Sequence, residues 1–152
     1  MRPADAADRL AIEDLFALFH WALDTGDVEG FADCFVDGGR MQLQAQHSSM
    51  HYEGREGLIA MAETFRAWDR FPGCQHFAGQ PLIELDDDGL GGRVRSFCMV
   101  AECRGEPPYA LRYAGRSDDR LRRSGERWLF EERQVFLWHG EAMVNRPLQV
   151  GT

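Results

Sequence analysis

The stretch Leu10–Phe35, LAIEDLFALFHWALDTGDVEGFADCF, decides how this chain is read. Within it Ile12, Phe16, Phe19 and Leu23 recur at helical spacing, so one apolar stripe runs down the side of an amphipathic helix. Thr25 and Gly26 end that helix. Asp27 then stands where an N-cap belongs, ahead of a second short helix carrying Val28, Phe31 and Phe35, and the two helices meet at a tight joint. Asp24 lies at the joint. It is on the last turn of the first helix, just past the stripe, where it can point into whatever the stripe encloses.

Outward from this stretch, the global numbers bound the problem. A chain of 152 residues with 44% hydrophobic content reads as one soluble globular domain over 1–152, with 1–7 and 141–152 as terminal segments. A formal net charge of −8 argues against nucleic acid as a partner, because holding a phosphate backbone needs a basic surface. The opening MRPADAADRL lacks the apolar core of a signal peptide, and no apolar run is long enough to span a bilayer. The expectation is therefore a cytoplasmic protein without a membrane partner. Cys34, Cys74, Cys98 and Cys103 show no CxxC spacing and are expected as free thiols rather than zinc ligands.

Beyond Phe35 the chain turns at DGGR, and Met41 to Ala45 alternates like a short strand. HSSMH, His47 to His51, reads as a loop or hairpin tip. A third helix follows over roughly Glu56 to Trp68, with Leu58, Ile59, Ala62 and Phe65 on its apolar face. Phe71, Pro72 and Gly73 break it. Four extended segments come next: Cys74 to Leu85 interrupted near Pro81, then about Gly92 to Arg104, Tyr109 to Arg122, and Trp128 to His139. Short connections imply antiparallel neighbours, and three helices ahead of a meander imply an α+β fold.

The last strand is apolar on both faces by simple alternation, with Trp128, Phe130, Phe136 and Trp138 on one and Leu129, Val135 and Leu137 on the other. The helices can cover only one of them. A homo-oligomer, with a dimer as the simplest case, is the expected cover for the second. Phe16, Phe19, Phe31, Phe35, Leu58, Phe65, Phe97, Phe130 and Phe136 are the expected core. The tail EAMVNRPLQVGT carries Met143, Val144, Leu148 and Val150, which suit docking across a cavity mouth or onto a neighbour.

Taken together, ALDTGD, a short helix ending in CF, YEGREGLIAM at the third helix, CQHFAG at the next strand, and GRSDDRLRRSGERWLFEERQV carry a resemblance. The chain resembles the SnoaL-like branch of the NTF2-like superfamily over nearly its whole length. The resemblance implies a cone in which three N-terminal helices pack inside a curved antiparallel β-sheet and enclose an apolar pocket. It also implies an aspartate–histidine pair, as in dehydratase and dehydrohalogenase members, and here Asp24 and His76 stand at the matching positions. The chemistry is sound: a neutral imidazole takes a proton near neutral pH, while a carboxylate fixes its tautomer and stabilises the imidazolium. The structural alternative is that Asp24 caps the following turn and His76 is a satisfied, partly buried histidine.

This sequence departs from the catalytic pattern in one slot. Phe19 occupies the position, five residues before the aspartate, where catalytic relatives often place a tyrosine or lysine. His20, one turn before Asp24, can pair with the carboxylate or contribute a polar group of its own. Ser117 stands where the family's strand often has a tyrosine, and Asp119 and Arg133 match an acidic and a basic position able to pair across adjacent strands. Phe19, His20, Trp21, Tyr52, Phe97 and Tyr113 are the candidate substrate-binding residues.

Other groups point less clearly to a site. His47 and His51 are four apart but lack an acidic partner other than Glu53, so no metal site is expected. Arg120, Arg122, Arg123 and Arg127 read as a solvated hairpin, and GLGG at Gly89 to Gly92 lacks the strand–turn–helix setting of a dinucleotide fingerprint. No cofactor is implied. Three readings follow: a cofactor-independent dehydratase, isomerase or lyase acting on a small apolar or cyclic molecule; a ligand-binding module without catalysis; or a structural subunit, since the fold also resembles the small subunit of aromatic-ring dioxygenases.

Overall fold

The computed structural model describes residues 1–45, 47–69, 71–79, 81–103 and 105–138. After a two-residue strand β1 (Arg2–Pro3), helix α1 spans Ala6–Thr25 and helix α2 spans Val28–Ala32. The Asp5 carboxylate accepts the Asp8 backbone N–H at 2.9 Å and starts α1. Gly26 ends it in a left-handed conformation (φ 77), and a Cβ there would also lie 2.9 Å from the Arg66 side chain. Asp27 caps α2 through the Gly30 N–H at 2.9 Å, as its sequence position predicts.

Strand β2 (Phe35–Ala45) follows directly, then β3 (Ser48–Glu53) and α3 (Gly54–Arg66). Phe35 therefore opens a strand instead of closing the second helix, and Ser48 to His51, expected as a loop, pair with β2 in register. A single 3₁₀ turn (Phe71–Gly73) leads into β4 (Cys74–Ala78), β5 (Leu82–Leu85), β6 (Gly91–Glu102), β7 (Ala110–Ser124) and β8 (Arg127–Leu137). The expected tail docking of Met143, Val144, Leu148 and Val150 falls outside the described residues, as does the expected last strand residue His139. No helix among the described residues is long and apolar enough to cross a membrane.

The strands form one curved sheet in the order β1-β5-β6-β7-β8-β2-β3, with β4 pairing the far half of β6 beside β5. The fold is the expected α+β cone. One pairing departs from the antiparallel expectation: β2 runs parallel to β8, because these two meet through the helices and most of the chain rather than through a hairpin.

Inside the sheet the rings of Phe16, Phe19, Phe31, Phe35 and Phe130 pack centroid to centroid at 4.9–6.0 Å, around buried Ile12, Leu58, Leu121 and Trp128. Each such large side chain removes enough apolar surface from water to contribute roughly 1.5–3 kcal/mol. The first turn of α1 is tied to the β7–β8 hairpin by Asp8, which accepts from Trp128 Nε1 at 3.1 Å and Arg123 Nη1 at 3.2 Å.

Two expected core residues lie elsewhere. Phe97 is 64% exposed, because β6 turns Val94 and Ser96 inward and the residue between Ser96 and Cys98 must point out. Phe136 is only half-buried, and its case is more instructive. The register of β7 against β8 pairs Leu121 with Phe130 but Arg120 with Glu132, so Glu131 is an extra residue in a bulge. From there the alternation changes parity: Trp128 and Phe130 point inward, and so do Arg133 and Val135, while Phe136 turns to the outer face beneath the Arg116 guanidinium. Phe65 is half-buried, packed at the edge of the core.

Candidate active site

A cleft of about 1510 Å³ runs along one side of α1. Arg9, Glu13, Ala17, Trp21 and Asp24 line it at helical spacing, with Phe16 and His20 beside them, so the wall follows four turns, or about 22 Å at 1.5 Å per residue. The opposite wall is β4 with Pro72, Gly73, Pro81 and Leu82. Gly73 keeps that wall close to β6, since a Cβ on it would fall 2.0 Å from the Cys103 carbonyl oxygen.

At one end of the cleft Asp24 meets His76. Antiparallel pairing of β4 with β6 sets His76 opposite Val100 and turns its ring toward α1. Asp24 Oδ1 lies 2.5 Å from His76 Nδ1, and Asp24 Oδ2 accepts the His76 backbone N–H at 2.7 Å. One carboxylate thus fixes both the main chain and the ring. With a carboxylate as its partner, Nδ1 carries the hydrogen, which leaves the Nε2 lone pair as the basic atom. The side chains are 18% and 19% exposed, so the pair is sheltered without being sealed. The ring is further held edge-on by Phe65 at 5.4 Å.

His20 completes this end. Its ring lies nearly parallel to that of His76 (8°, centroids 6.0 Å apart) and edge-on to Phe19. Burial, with the Arg133 and His76 charges adding to it, lowers the His20 pKa to about 3, against a hydrogen bond to the Phe16 carbonyl that pulls the other way. His20 is therefore a neutral ring at working pH. It stacks beside His76 instead of pairing with the Asp24 carboxylate.

Behind His20 lies a second acid–base pair. Arg133 Nη1 donates to Asp119 Oδ2 at 2.8 Å, and that oxygen also accepts from Ser117 Oγ at 2.8 Å, with Ser96 Oγ 2.9 Å from Ser117 Oγ. The guanidinium sits 4.6–5.0 Å from the centroids of Phe16, Phe19 and Phe130. Burial raises the Asp119 pKa to about 6 despite the Arg133 charge and the Ser117 hydroxyl. Among the described residues, Arg133 Nε and Asp119 Oδ1 find no hydrogen-bond partner.

Of the sequence-derived site residues, Asp24, His76, His20 and Trp21 line the cleft. Phe19, Tyr52, Tyr113 and Phe97 do not line it. Phe19 is buried in the phenylalanine core one layer down, Tyr52 packs against the core from β3, Tyr113 is half-buried on β7, and Phe97 faces outward. Periodicity places a residue on a face, but only the packing of β4 against α1 decides which face borders the cleft. Asp8, the bridge to Trp128, carries no sequence signal that separates it from an exposed helix acid. The arginines near the hairpin are engaged structurally, Arg120 with Asp86, Arg122 with Glu131 at 2.7 Å and Arg123 with Asp8. His51 lies 2.9 Å from Ser49, and among the described residues no three His, Cys, Asp or Glu side chains group to hold a metal ion. Burial pushes the Cys34 thiol up to about 11 and raises that of Cys98, which disfavours the reactive thiolate at both.

A family model described as the SnoaL-like domain matches residues 4–134. The chain belongs to the SnoaL-like family. No curated protein sequence matches it. Among solved structures this SnoaL-like chain is similar to an NTF2-like protein with a cystatin-like fold from Novosphingobium aromaticivorans, at 24% identity over 89% of this chain and 84% of that one, with a TM-score of 0.75. Two more neighbours come from the same organism. One is the β subunit of a candidate aromatic-ring-hydroxylating dioxygenase, at 21% identity over 85% and 88% of the chains with a TM-score of 0.72. The other is a candidate scytalone dehydratase, at 21% identity over 86% and 83% with a TM-score of 0.69. At these identities the likeness is one of fold. The Asp24–His76 geometry is this SnoaL-like chain's own.

Proposed function

We propose that this protein is a cofactor-independent lyase or isomerase in which His76 takes a proton from a carbon of a small apolar or cyclic substrate. The observation that carries the reading is the Asp24–His76 contact of 2.5 Å at the wall of an open cleft. Asp24 orients the ring, holds the hydrogen on Nδ1 and stabilises the imidazolium that forms on proton transfer. A positioned base of this kind contributes about 10²–10⁴-fold in rate. The fold is one shared with a candidate dehydratase, which suits the reading, and with a dioxygenase β subunit, which keeps a purely structural role as the contrasting one. A panel of cyclic ketones such as 2-tetralone, incubated in deuterated buffer, tests it by NMR. Enzyme-accelerated exchange of the α-protons is expected with the parent and not with His76→Gln. Equal rates with the two proteins would leave a binding or structural role.

We propose further that a second copy of the chain covers the outer face of the sheet. Phe77, Phe97 and Met99 are 47–64% exposed there, on the paired strands β4 and β6, whereas the other half of that face is occupied by paired ions such as Arg93 with Asp118. Sedimentation at micromolar concentration is expected to give twice 17.3 kDa, and Phe97→Glu to give the single chain.

A further inference from the structure

The cleft is longer than the reacting end needs, and on the reading just proposed we infer that its substrate is an extended chain. A carbonyl group with its acidic C–H lies at Asp24 and His76, an apolar body runs along α1, and a hydroxyl sits at Arg9 and Glu13. Both walls measure this run. From Asp24 back to Arg9 the helix rises about 22 Å at 1.5 Å per residue, and from His76 on to Pro81 an extended chain covers at most about 17 Å. The two ends are matched across the cleft, since Asp24 meets His76 at one and Arg9 Nη1 donates to the Pro81 carbonyl at 3.5 Å at the other. Arg9 thus bounds the far end. The volume of about 1510 Å³ also exceeds the roughly 300–1,000 Å³ that encloses a typical ligand, so a bicyclic ketone at His76 would leave much of the cleft unfilled.

Polar side chains gather at the two ends. His20, Asp24, Thr25, Gln75 and His76 line one, and Arg9 and Glu13 line the other. Between them the walls are Phe16, Ala17, Ala78, Gly79, Pro81 and Leu82, whose side chains neither donate nor accept a hydrogen bond. Methylene groups suit such a run. With C–C bonds of about 1.5 Å an extended chain of about 12 carbons spans roughly 14 Å. A contact of about 3 Å at each end brings the whole to roughly 20 Å, the length that the two walls give.

The far end selects the terminal group. The Arg9 guanidinium offers only donors and the Glu13 carboxylate only acceptors. They hold one another loosely, at 3.6 Å with 45% and 44% of the side chains exposed, and the basic residue comes first, the weaker order for a pair four apart on a helix. A hydroxyl accepts from Arg9 and donates to Glu13, so it completes both. A carboxylate would meet the Glu13 charge, and an ammonium that of Arg9.

Four ketones separate the possibilities by ligand-detected NMR: 12-hydroxydodecan-2-one, 6-hydroxyhexan-2-one, dodecan-2-one and 11-oxododecanoate. The parent is expected to bind the long hydroxyketone at least about tenfold more tightly than the short one, because the added methylenes enter an apolar run. It should also bind it several-fold more tightly than the plain ketone or the keto acid, which leave a polar group of the site unpaired. Ala17→Trp, at an exposed helix position on the wall between the ends, is expected to remove the advantage of the long chain. Arg9→Met with Glu13→Met should keep that advantage and lose the hydroxyl preference. His76→Gln should keep both while losing α-proton exchange. No saturable binding of the long hydroxyketone, equal affinity for long and short, a length advantage that survives Ala17→Trp, or a plain ketone or keto acid bound as tightly each overturns the inference. Absence of exchange in the parent with both preferences intact supports it and counts against the proton-abstraction reading alone.

Discussion

Asp24–His76 and Asp119–Arg133 are both acid–base pairs made between two elements of the fold, and each joins a carboxylate to a nitrogen base at hydrogen-bond distance. Their surroundings differ. The first faces a cleft and retains nearly a fifth of its side-chain exposure, whereas the second is closed off by Phe16, Phe19 and Phe130 and is at most 1% exposed. Their chemistry differs in parallel. An imidazole can take up and release a proton, and the cleft gives a substrate access to it. A guanidinium stays charged at every working pH, so Arg133 cannot act as a base and serves to hold β7 against β8 beneath the phenylalanine core. One pair offers a base to the cleft, whereas the other buries a cation that never gives up its proton.

The largest expected difference between them is in stability. Arg133→Met leaves Asp119 uncompensated in an apolar interior and is expected to cost about 3–5 kcal/mol in urea unfolding. Replacing both partners, Arg133→Met with Asp119→Leu, is expected to recover most of that loss, because no lone charge remains buried. Equal costs for Arg133→Met and His76→Gln would erase the distinction between the two pairs.

The pH dependence gives the next effect. Asp119 has its pKa raised from 3.8 to about 6, chiefly by burial, so the folded protein holds this proton more tightly than the unfolded chain does. Its contribution to stability is fully present below pH 3.8 and is lost as pH rises through about 6, a change of roughly 3 kcal/mol at most. The stability advantage of the parent over Asp119→Asn should accordingly shrink between pH 4 and pH 7. Unfolding curves collected across that range that stay parallel for the two proteins would place Asp119 in wetter surroundings than its packing implies.

Asp24→Asn should be gentler on the fold and harsher on the chemistry. The amide can still accept a hydrogen bond from the His76 main chain or ring, and the site is partly hydrated, so a loss of about 1 kcal/mol in stability is expected. Proton exchange should nonetheless fall, because an amide cannot stabilise the imidazolium as a carboxylate does. If thermal denaturation showed a loss as large as that of Arg133→Met, Asp24 would be a structural residue of the same kind. The smallest effect is expected at Phe97: Phe97→Ser should change the stability of the isolated chain by no more than about 0.5 kcal/mol, measured in dilute solution.

Much of this arrangement was legible in the residues. The stripe Ile12, Phe16, Phe19 and Leu23, the stop at Gly26 and the cap at Asp27 are local signals, read from neighbours within a turn or two, and each is where the sequence places it. Asp24 at the helix joint and His76 early in a strand could be named as a pair only through resemblance, since they are 52 residues apart and no spacing rule links them. The contact itself belongs to the tertiary structure, which lays β4 antiparallel on β6 and brings His76 against α1. The same holds for the choice of face. Alternation along β8 is a rule of period two, and a single extra residue at Glu131 reverses it, sending Arg133 into the core and Phe136 out of it. Local periodicity determined which elements form, because the interactions that set it lie within each element. Which side chains meet was decided by strand register and by the packing of α1 on β4, quantities that depend on residues far apart in the chain.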